Sequence, residues 1–258
     1  MILLVLHGAE AEGGQIQALL KFYDIPFIGS DMKSSVLGMD KELTYLKLKS
    51  DSINTIDKKT FYDIKDVSVD TYPVIVKPAR SGSSIGINVC NDERELLNCA
   101  KEAFKYDSKI IVEIYLDNFR EFSMALYKTK EFHYSKAEEI INVDKIFDYD
   151  QKYKNRSKGF LHKFLDEKEL VSEIKNISTK IYNSFQVDGI VRIDFLYYDN
   201  VLYVNEINTL PGSLSNYLFD DFSSVINDIT RHYLYGYKTR KRDNNLINEE
   251  ILRLNSKK

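Results

Sequence analysis

The sequence has no tryptophan, only two cysteines and four prolines, and no uninterrupted apolar stretch of membrane-spanning length. Each shortage removes a class of protein. Crossing a bilayer takes about eighteen or more apolar residues, and the opening run MILLVL is far shorter. It also lacks the basic leader of a secretory signal, so it reads as a buried strand. Cys90 and Cys99 are too few for a disulfide framework or a zinc site, and they fit a reducing cytoplasm. Charge of one sign is missing as well. Thirty-six Lys and Arg against 39 Asp and Glu leave a net charge of −3, which gives no electrostatic case for nucleic acid or for a membrane surface as partner. The one dense basic cluster, KTRKR at 238–242, lies beside Asp243 and reads as a solvated helix end. What remains is a chain of 258 residues, 43% hydrophobic, long enough for one large domain or two to three small ones.

ILLVLHG is a short apolar run closed by His-Gly, the pattern of a strand buried on both faces of an α/β sheet. A helix is expected at about 14–23, a short strand or turn at IPFIGS, and helical spacing runs through SSVLGMDKELTYLKLKSD. Residues 51–70 read as polar and irregular. Strand composition at 72–77, a Gly/Ser loop and a resumed strand at INV predict a hairpin. Asp92 followed by Glu95 resembles a capping box before ERELLNCAKEAFKY, in which Leu96, Leu97, Ala100, Ala103 and Phe104 make one apolar face. KIIVEIYL and EFSMALY read as consecutive strands. Residues 142–165 lack periodicity and read as a long exposed loop, a common form of functional lid. A helix at about 168–185 leads to the strands GIVRIDFLYY and VLYVNEIN, joined by an Asp199-Asn200 turn, and the stretch 219–256 reads as helical and amphipathic.

Gly82-Ser83-Ser84-Ile85-Gly86 spells the G-x-S-x-G elbow of serine hydrolases, with Ser84 as nucleophile. That elbow joins a strand to a helix, whereas this loop leads into another strand. The phosphate loop G-x-x-x-x-G-K-[ST] does not occur, and Lys77 precedes the glycines. A Gly/Ser hairpin with a lysine on its entering strand can still fold over phosphates. Its N–H groups approach closely where no Cβ intervenes, its hydroxyls donate, and the lysine adds charge. Taken alone, the loop is equally a plain surface turn.

VRIDFLYYDNVLYVNEINTLPGS carries more. Arg192 and Asp194 are two apart and share one face of a strand; Glu206 and Asn208 likewise share a face. If the two strands pair through the Asp199-Asn200 turn, Asp194, Glu206 and Asn208 converge. Two carboxylates and an amide oxygen make a hard, incomplete donor set, suited to Mg²⁺ with water and substrate phosphates completing the shell. The plain alternative is a surface hairpin with its polar residues outward. Spacing does not bring Lys41, Lys77 and Lys152 together. Glu113 lies between apolar residues in IIVEIYL, and a carboxylate in a buried strand needs a partner, either an adenine amino group or a neighbouring lysine.

In order along the chain, HGAEAEGG, GMDK, VIVKPARSGSSIG, VEIYL with the following RE, KY, RIDF and NEINTLPGS resemble the D-alanine-D-alanine ligase family of ATP-grasp enzymes. The resemblance implies an α/β (α+β) ATP-grasp fold. A shortened Rossmann-like portion is expected at 1–35, a central lid domain at 36–119, and a C-terminal domain with the metal and substrate site at 120–258. It further implies ATP, two Mg²⁺ ions or Mn²⁺ in their place, D-alanine as substrate, a cytoplasmic role in peptidoglycan synthesis, and a homodimer.

Residue by residue, the resemblance places ATP at Lys41, Lys77, Ser83, Ser84, the hinge Glu113, Ile114, Tyr115 and Leu116, Glu121 at the ribose, Lys152, Asn205 and Glu206. The metals fall to Asp194, Glu206 and Asn208. Arg192 and the backbone of Gly212 would stabilise the oxyanion, Lys152 would reach the γ-phosphate, and Tyr153 and Ser83 would help close the site. His7, Glu12, Arg192, Gly212, Ser213 and Tyr217 are the expected substrate contacts. The implied reaction starts with attack of one D-alanine carboxylate on the γ-phosphate; the amine of a second D-alanine then displaces phosphate from the acyl phosphate. Gly13 stands where the family's GEDG has aspartate, and Met1 precedes the VLHG strand so closely that the acidic residue expected to hold the first ammonium is missing. Tyr217 stands where many members carry serine, which leaves the second amino acid open. A nucleotide-binding remnant and a ligase of a different carboxylate and amine are the competing readings.

Overall fold

The strand-forming stretches sort into three separate sheets, and the site is built where two of them meet. The computed structural model describes residues 1–6, 8–82, 84–142 and 160–236. At the start, β1 (Ile2–Leu3) pairs in parallel with β2 (Phe27–Ile28) through α1 (Ala9–Glu12) and α2 (Gln15–Phe22). The helical run that follows is not one helix. It divides into α3 (Met32–Met39) and α4 (Lys41–Ser50), because Asp40 between them takes an extended conformation and its carboxylate accepts from the N–H groups of Glu42 and Leu43 at 3.0 and 3.2 Å. A carboxylate that satisfies two orphan donors starts a new helix in the middle of a helix-period pattern.

The second sheet is antiparallel and holds β3 (Lys58–Phe61), β4 (Val74–Pro78), β5 (Asn88–Cys90) and β6 (Ile110–Ile114), in the order β3-β6-β4-β5. The predicted hairpin is β4 and β5. β3 falls in the stretch that reads as irregular; KKTF is an edge strand, and lysines on an edge blunt further pairing while hiding the strand signature. α5 (Glu93–Ala103) covers this sheet, with Leu96, Ala100 and Ala103 fully buried. Its box is formed nearly as predicted. Asp92 accepts from the N–H of Glu95 at 2.8 Å, and the Glu95 carboxylate accepts from the N–H of Asn91, one residue earlier than the usual partner, at 2.8 Å.

The third sheet contains β7 (Arg120–Lys128), β8 (Phe132–Tyr134), β9 (Glu138–Asn142), β10 (Phe160–Phe164), β11 (Val191–Tyr198) and β12 (Val201–Asn208). Its order is β10-β9-β7-β11-β12, with β8 also on β7. One face carries the largest core, where Phe122, Phe195 and Ile193 meet Ile174, Ile181 and Phe185 on and just after α6 (Lys168–Ser184). The long loop expected at 142–165 is shorter at its end: Phe160–Phe164 form β10, which pairs with β9 from Asn142↔Phe160 onward and so satisfies backbone groups that the aperiodic sequence did not announce, while 143–159 lie outside the described residues. A final helix, α7, spans 222–236, and the remainder of the predicted helical end lies outside the described residues. No described helix is long and apolar enough to cross a membrane.

Asp199 and Asn200 both have positive φ, 48° and 60°, the signature of a type I′ turn whose twist matches paired strands. A close approach sets where α3 sits on β12: a Cβ on Gly38 would lie 2.7 Å from Thr209 Cγ2 and 3.1 Å from the Ile207 carbonyl. Gly38→Ala must push the helix off the strand that carries Glu206 and Asn208, and overpacking of this kind costs about 1–3 kcal/mol. Urea unfolding of that variant should show a midpoint lowered accordingly; an unshifted midpoint would mean the contact is slack.

Candidate active site

The register of β11 on β12 puts Asp194 opposite Glu206 and Arg192 opposite Asn208. Directly opposed residues share a face, so Asp194, Glu206 and Asn208, the three expected to converge, do so, and Arg192 lies on the same face. Arg192 Nε and Nη2 donate to Asp194 Oδ1 and Oδ2 at 2.8 and 2.9 Å, and Asn208 Nδ2 donates to Asp194 Oδ2 at 2.9 Å. Burial weighs against the charge on Arg192, but Asp194 first, then Tyr217 and Glu206, hold its pKa above the ordinary value. The pairing shifts by one residue after Asp194, leaving Asn205 as the extra residue between Glu206 and Val204. Bulges re-aim side chains beside active sites, and this one falls among the expected nucleotide and metal contacts.

Facing this acidic row is a basic group on the second sheet. Glu113 on β6 lies opposite Lys58 on β3 and diagonal to Lys77 on β4. Both lysines donate to it, Lys58 to Oε2 and Lys77 to Oε1, and all three side chains are almost fully buried. The partner of Glu113 is therefore lysine, and its side chain is not available to an adenine amino group. Burial by itself would raise the Glu113 pKa; Lys77 and Lys58 overcome it and bring the group down to about 2. Two cations on one anion leave a net positive charge.

Lys41 adds to that charge. Its Nζ donates to the Ser81 carbonyl at 2.6 Å, and its backbone N–H donates to Ala79 O at 3.0 Å. The α4 start is clamped there by Lys109, which donates to Asp40 at 2.6 Å and to Glu42 at 2.8 Å. Burial lowers the Lys41 pKa, Glu206 opposes that, and Lys77 reinforces it. Lys41 thus feels both Glu206 on the third sheet and Lys77 on the second, so it stands between the acidic row and the basic group.

The other expected contacts distribute around this cleft. Ser84 sits at φ 59° in the turn of the Gly/Ser loop. At the end of β6 the Tyr115 N–H donates to Pro73 O at 3.1 Å, Ile114 is half exposed, and Leu116 follows in the same link to β7. Glu121 stands two residues from Ser123 on β7 and so shares its face. Glu12 lies at the loop from the other side, where a Cβ on Gly82 would meet its Oε2 at 3.7 Å. Gly212, Ser213 and Tyr217 lie in a 3₁₀ segment, Gly212–Leu218, in which Ser213, Leu214 and Ser215 all have φ near 50°. Left-handed backbone costs non-glycine residues roughly 1–2 kcal/mol each, and such strain concentrates at functional sites. It delivers Tyr217 to Arg192. The Tyr217 pKa is raised by burial, against the pull of Arg192 and with the push of Glu138 and Asp194. His7, Ser83, Lys152 and Tyr153 lie outside the described residues.

The sequence gives no sign that Lys58 pairs with Glu113, or that Ser123 and Glu138 share the face of Asp194. Lys58 sits in the unrecognised edge strand, and Ser123 and Glu138 acquire their place only through β7 and β9 pairing. Among the described residues no three His, Cys, Asp or Glu side chains group as a metal site. The donor set is two carboxylates and an amide, and it fits a hard cation: Asp194 Oδ1 accepts one hydrogen bond, from Arg192 Nε, and rotating the Asn208 amide releases Asp194 Oδ2 from its second donor and presents the amide oxygen.

Residues 35–225 match the family model described as D-ala D-ala ligase C-terminus. The chain belongs to the D-alanine-D-alanine ligase family. It is 37% identical to the D-alanine-D-alanine ligase of Nitratiruptor sp. over 235 residues, 90% of this chain and 68% of that one. It superposes on the Helicobacter pylori D-alanine-D-alanine ligase with TM-score 0.75 and 32% identity, covering 90% of this chain and 70% of the other. Against a Bacillus anthracis D-alanine-D-alanine ligase complexed with ATP, the TM-score is 0.76 at 26% identity, covering 92% and 80%. The ATP-grasp fold expected from the motifs is thereby established for this family member.

Glu113→Gln would leave Lys58 and Lys77 buried without their anion, and breaking a buried pair in this way costs about 3–5 kcal/mol. Because the folded-state pKa of Glu113 lies below its ordinary value, its contribution is complete above about pH 4.5 and is lost as pH falls toward about 2. Urea titrations between pH 7 and pH 3 should show wild type losing this advantage over Glu113→Gln in acid. A stability gap that does not narrow would remove the ion triad from the account.

Proposed function

We propose that this chain is an ATP-dependent, ADP-forming carbon–nitrogen ligase that joins two D-alanine molecules through an acyl phosphate for peptidoglycan synthesis. The observation that carries this reading is the cleft itself, with Lys41 and the Lys77–Glu113–Lys58 group on one wall and Arg192, Asp194, Glu206 and Asn208 on the other. Phosphoryl transfer needs positioning and cations on phosphate oxygens more than covalent help from the protein. Lys41 and Lys77 would take the phosphates, with Ser83 and Ser84 of the Gly/Ser loop closing over them. The backbone after Glu113, through Ile114, Tyr115 and Leu116, would receive the adenine, and Glu121 the ribose.

Asp194, Glu206 and Asn208 would hold Mg²⁺, which when bound supplies positive charge to the phosphate oxygens. Arg192 stays fully charged in its pair with Asp194, so its guanidinium is a fixed donor for the negative charge that develops when the amine attacks the acyl carbon. The Gly212 N–H would add a second donor. Lys152 and Tyr153 would close the site over the reacting groups, keeping water from an acyl phosphate that would otherwise hydrolyse. We assign the three regions as a Rossmann-like portion at 1–35, a lid domain at 36–119 and a C-terminal domain at 120–258. We place the enzyme in the cytoplasm as a homodimer.

Purified protein with ATP, Mg²⁺ and D-alanine should release phosphate, with the dipeptide identified by mass spectrometry. Asp194→Asn, which removes a metal ligand and the Arg192 partner together, should lower kcat by at least about 10²-fold. ATP that raises the melting temperature while no D-amino acid pair releases phosphate would favour the nucleotide-binding remnant instead.

A further inference from the structure

The Gly/Ser loop stands on two feet, and one short link supports both. At the entering foot three successive residues are held through their backbone. The Ala79 N–H donates to Lys109 O at 3.0 Å, and the Ala79 carbonyl accepts from the Lys41 N–H at 3.0 Å. The Arg80 N–H donates to Asp107 Oδ2 at 2.7 Å, and the Ser81 carbonyl accepts from Lys41 Nζ at 2.6 Å. At the leaving foot Gly86 has φ 73°, and a Cβ there would lie 2.9 Å from Pro78 Cγ and 3.0 Å from Tyr106 Cδ2. Tyr106, Asp107 and Lys109 all belong to the link between α5 and β6. Within the loop, Ser81 Oγ donates to Ile85 O and the Ile85 N–H to Gly82 O, both at 3.2 Å.

Asp107 is the side chain at the centre of this support. It is 4% exposed, and a carboxylate kept this dry is stable only among donors. The foot of the loop supplies them. Besides the Arg80 N–H, Arg80 Nε lies 3.2 Å from both carboxylate oxygens, Arg80 Nη2 donates to Oδ1, and the Lys109 N–H donates to Oδ1 at 3.1 Å. Main chain and guanidinium of one residue therefore grip the same carboxylate. A two-pronged grip of this kind fixes direction as well as position, so Asp107 sets the angle at which the chain leaves β4. Ser83 and Ser84 are three and four residues past Arg80, and an angular error there is carried to them along up to about 14 Å of chain. The proposed adenine hinge, in contrast, lies past Ile114 at the opposite end of β6.

Resting on the ATP-dependent reading above, we infer that Asp107, acting through Arg80, is a positioning residue that aims the Gly/Ser loop at the outer phosphates of the nucleotide. Its own contacts are all with the protein. Its effect reaches the ligand only through the loop that Arg80 begins.

Titration calorimetry with Mg²⁺ and either ATP or AMP separates this role from a general loss of structure, because AMP reaches the hinge but lacks the outer phosphates. Asp107→Asn removes the charge and sets an amide donor against the donors of Arg80. It should raise the Kd for ATP about 10-fold, the scale of one charge-assisted hydrogen bond to a phosphate oxygen, and leave the Kd for AMP unchanged. Arg80→Gln should do the same. The Arg80 side chain is half exposed and can be shortened without opening the core, so this variant serves if Asp107→Asn does not fold. The double variant should bind ATP no more weakly than the weaker single variant, since the two residues act as one unit. An ATP Kd unmoved in either variant, an AMP Kd that rises in step with that for ATP, or losses that multiply in the double variant would overturn the inference. Wild-type protein that binds no ATP would instead sink the nucleotide reading on which it rests.

Discussion

One register holds the site together: β11 against β12 with Asp194 opposite Glu206 and Arg192 opposite Asn208. A slip of one residue would turn every one of these side chains to the opposite face and bury charge in the core beside Ile193 and Phe195. The core therefore enforces the chemistry. Ile193, Phe195, Val204 and Ile207 are each at most 2% exposed on the far side, so the pairing that buries them is the pairing that aligns the polar row. The type I′ turn at Asp199-Asn200 fixes the same register from the other end.

The opposite wall is built on a different principle. Three ionised side chains are buried there with a net positive charge, an arrangement that is expensive unless something negative is to be received. Lys41 is held nearby by the carbonyls of Ser81 and Ala79, at a helix start that Lys109 clamps. Its charge is disfavoured by burial and by Lys77 and is favoured by Glu206 across the cleft. The proposed triphosphate with its cation would answer both walls at once: the lysines would gain anions, and the carboxylates a metal. The strained 3₁₀ segment after Pro211 completes the floor by bringing Tyr217 to Arg192.

Much of this was legible in the chain because period-two and turn signals are local. Arg192 and Asp194, two apart, and Glu206 and Asn208, two apart, announce a shared face before any pairing is known, and Asp199-Asn200 announces the turn. The split of α3 from α4 was not legible, since a helix-period pattern continues across Asp40 and only its capping contacts reveal the break. β3 was hidden because an edge strand needs no alternation and here carries lysines. The placement of Glu138 opposite Ser123 was hidden for a stronger reason: which strand lies beside β7 is a long-range property that no local pattern encodes. Glu113 lay between, its need for a partner plain from the sequence and the identity of that partner decided only by β3.

The central claim is that the two β-strands present a cation site to the nucleotide beneath the lysine wall. A crystal soaked with Mn²⁺ and a non-hydrolysable ATP analogue tests it most directly, because manganese is located by its own anomalous scattering. The account predicts a peak within bonding distance of Asp194, Glu206 and the Asn208 amide oxygen, with the analogue's phosphates between it and Lys41 and Lys77. Manganese bound elsewhere, with Asp194 still held only by Arg192 and Asn208, would contradict it.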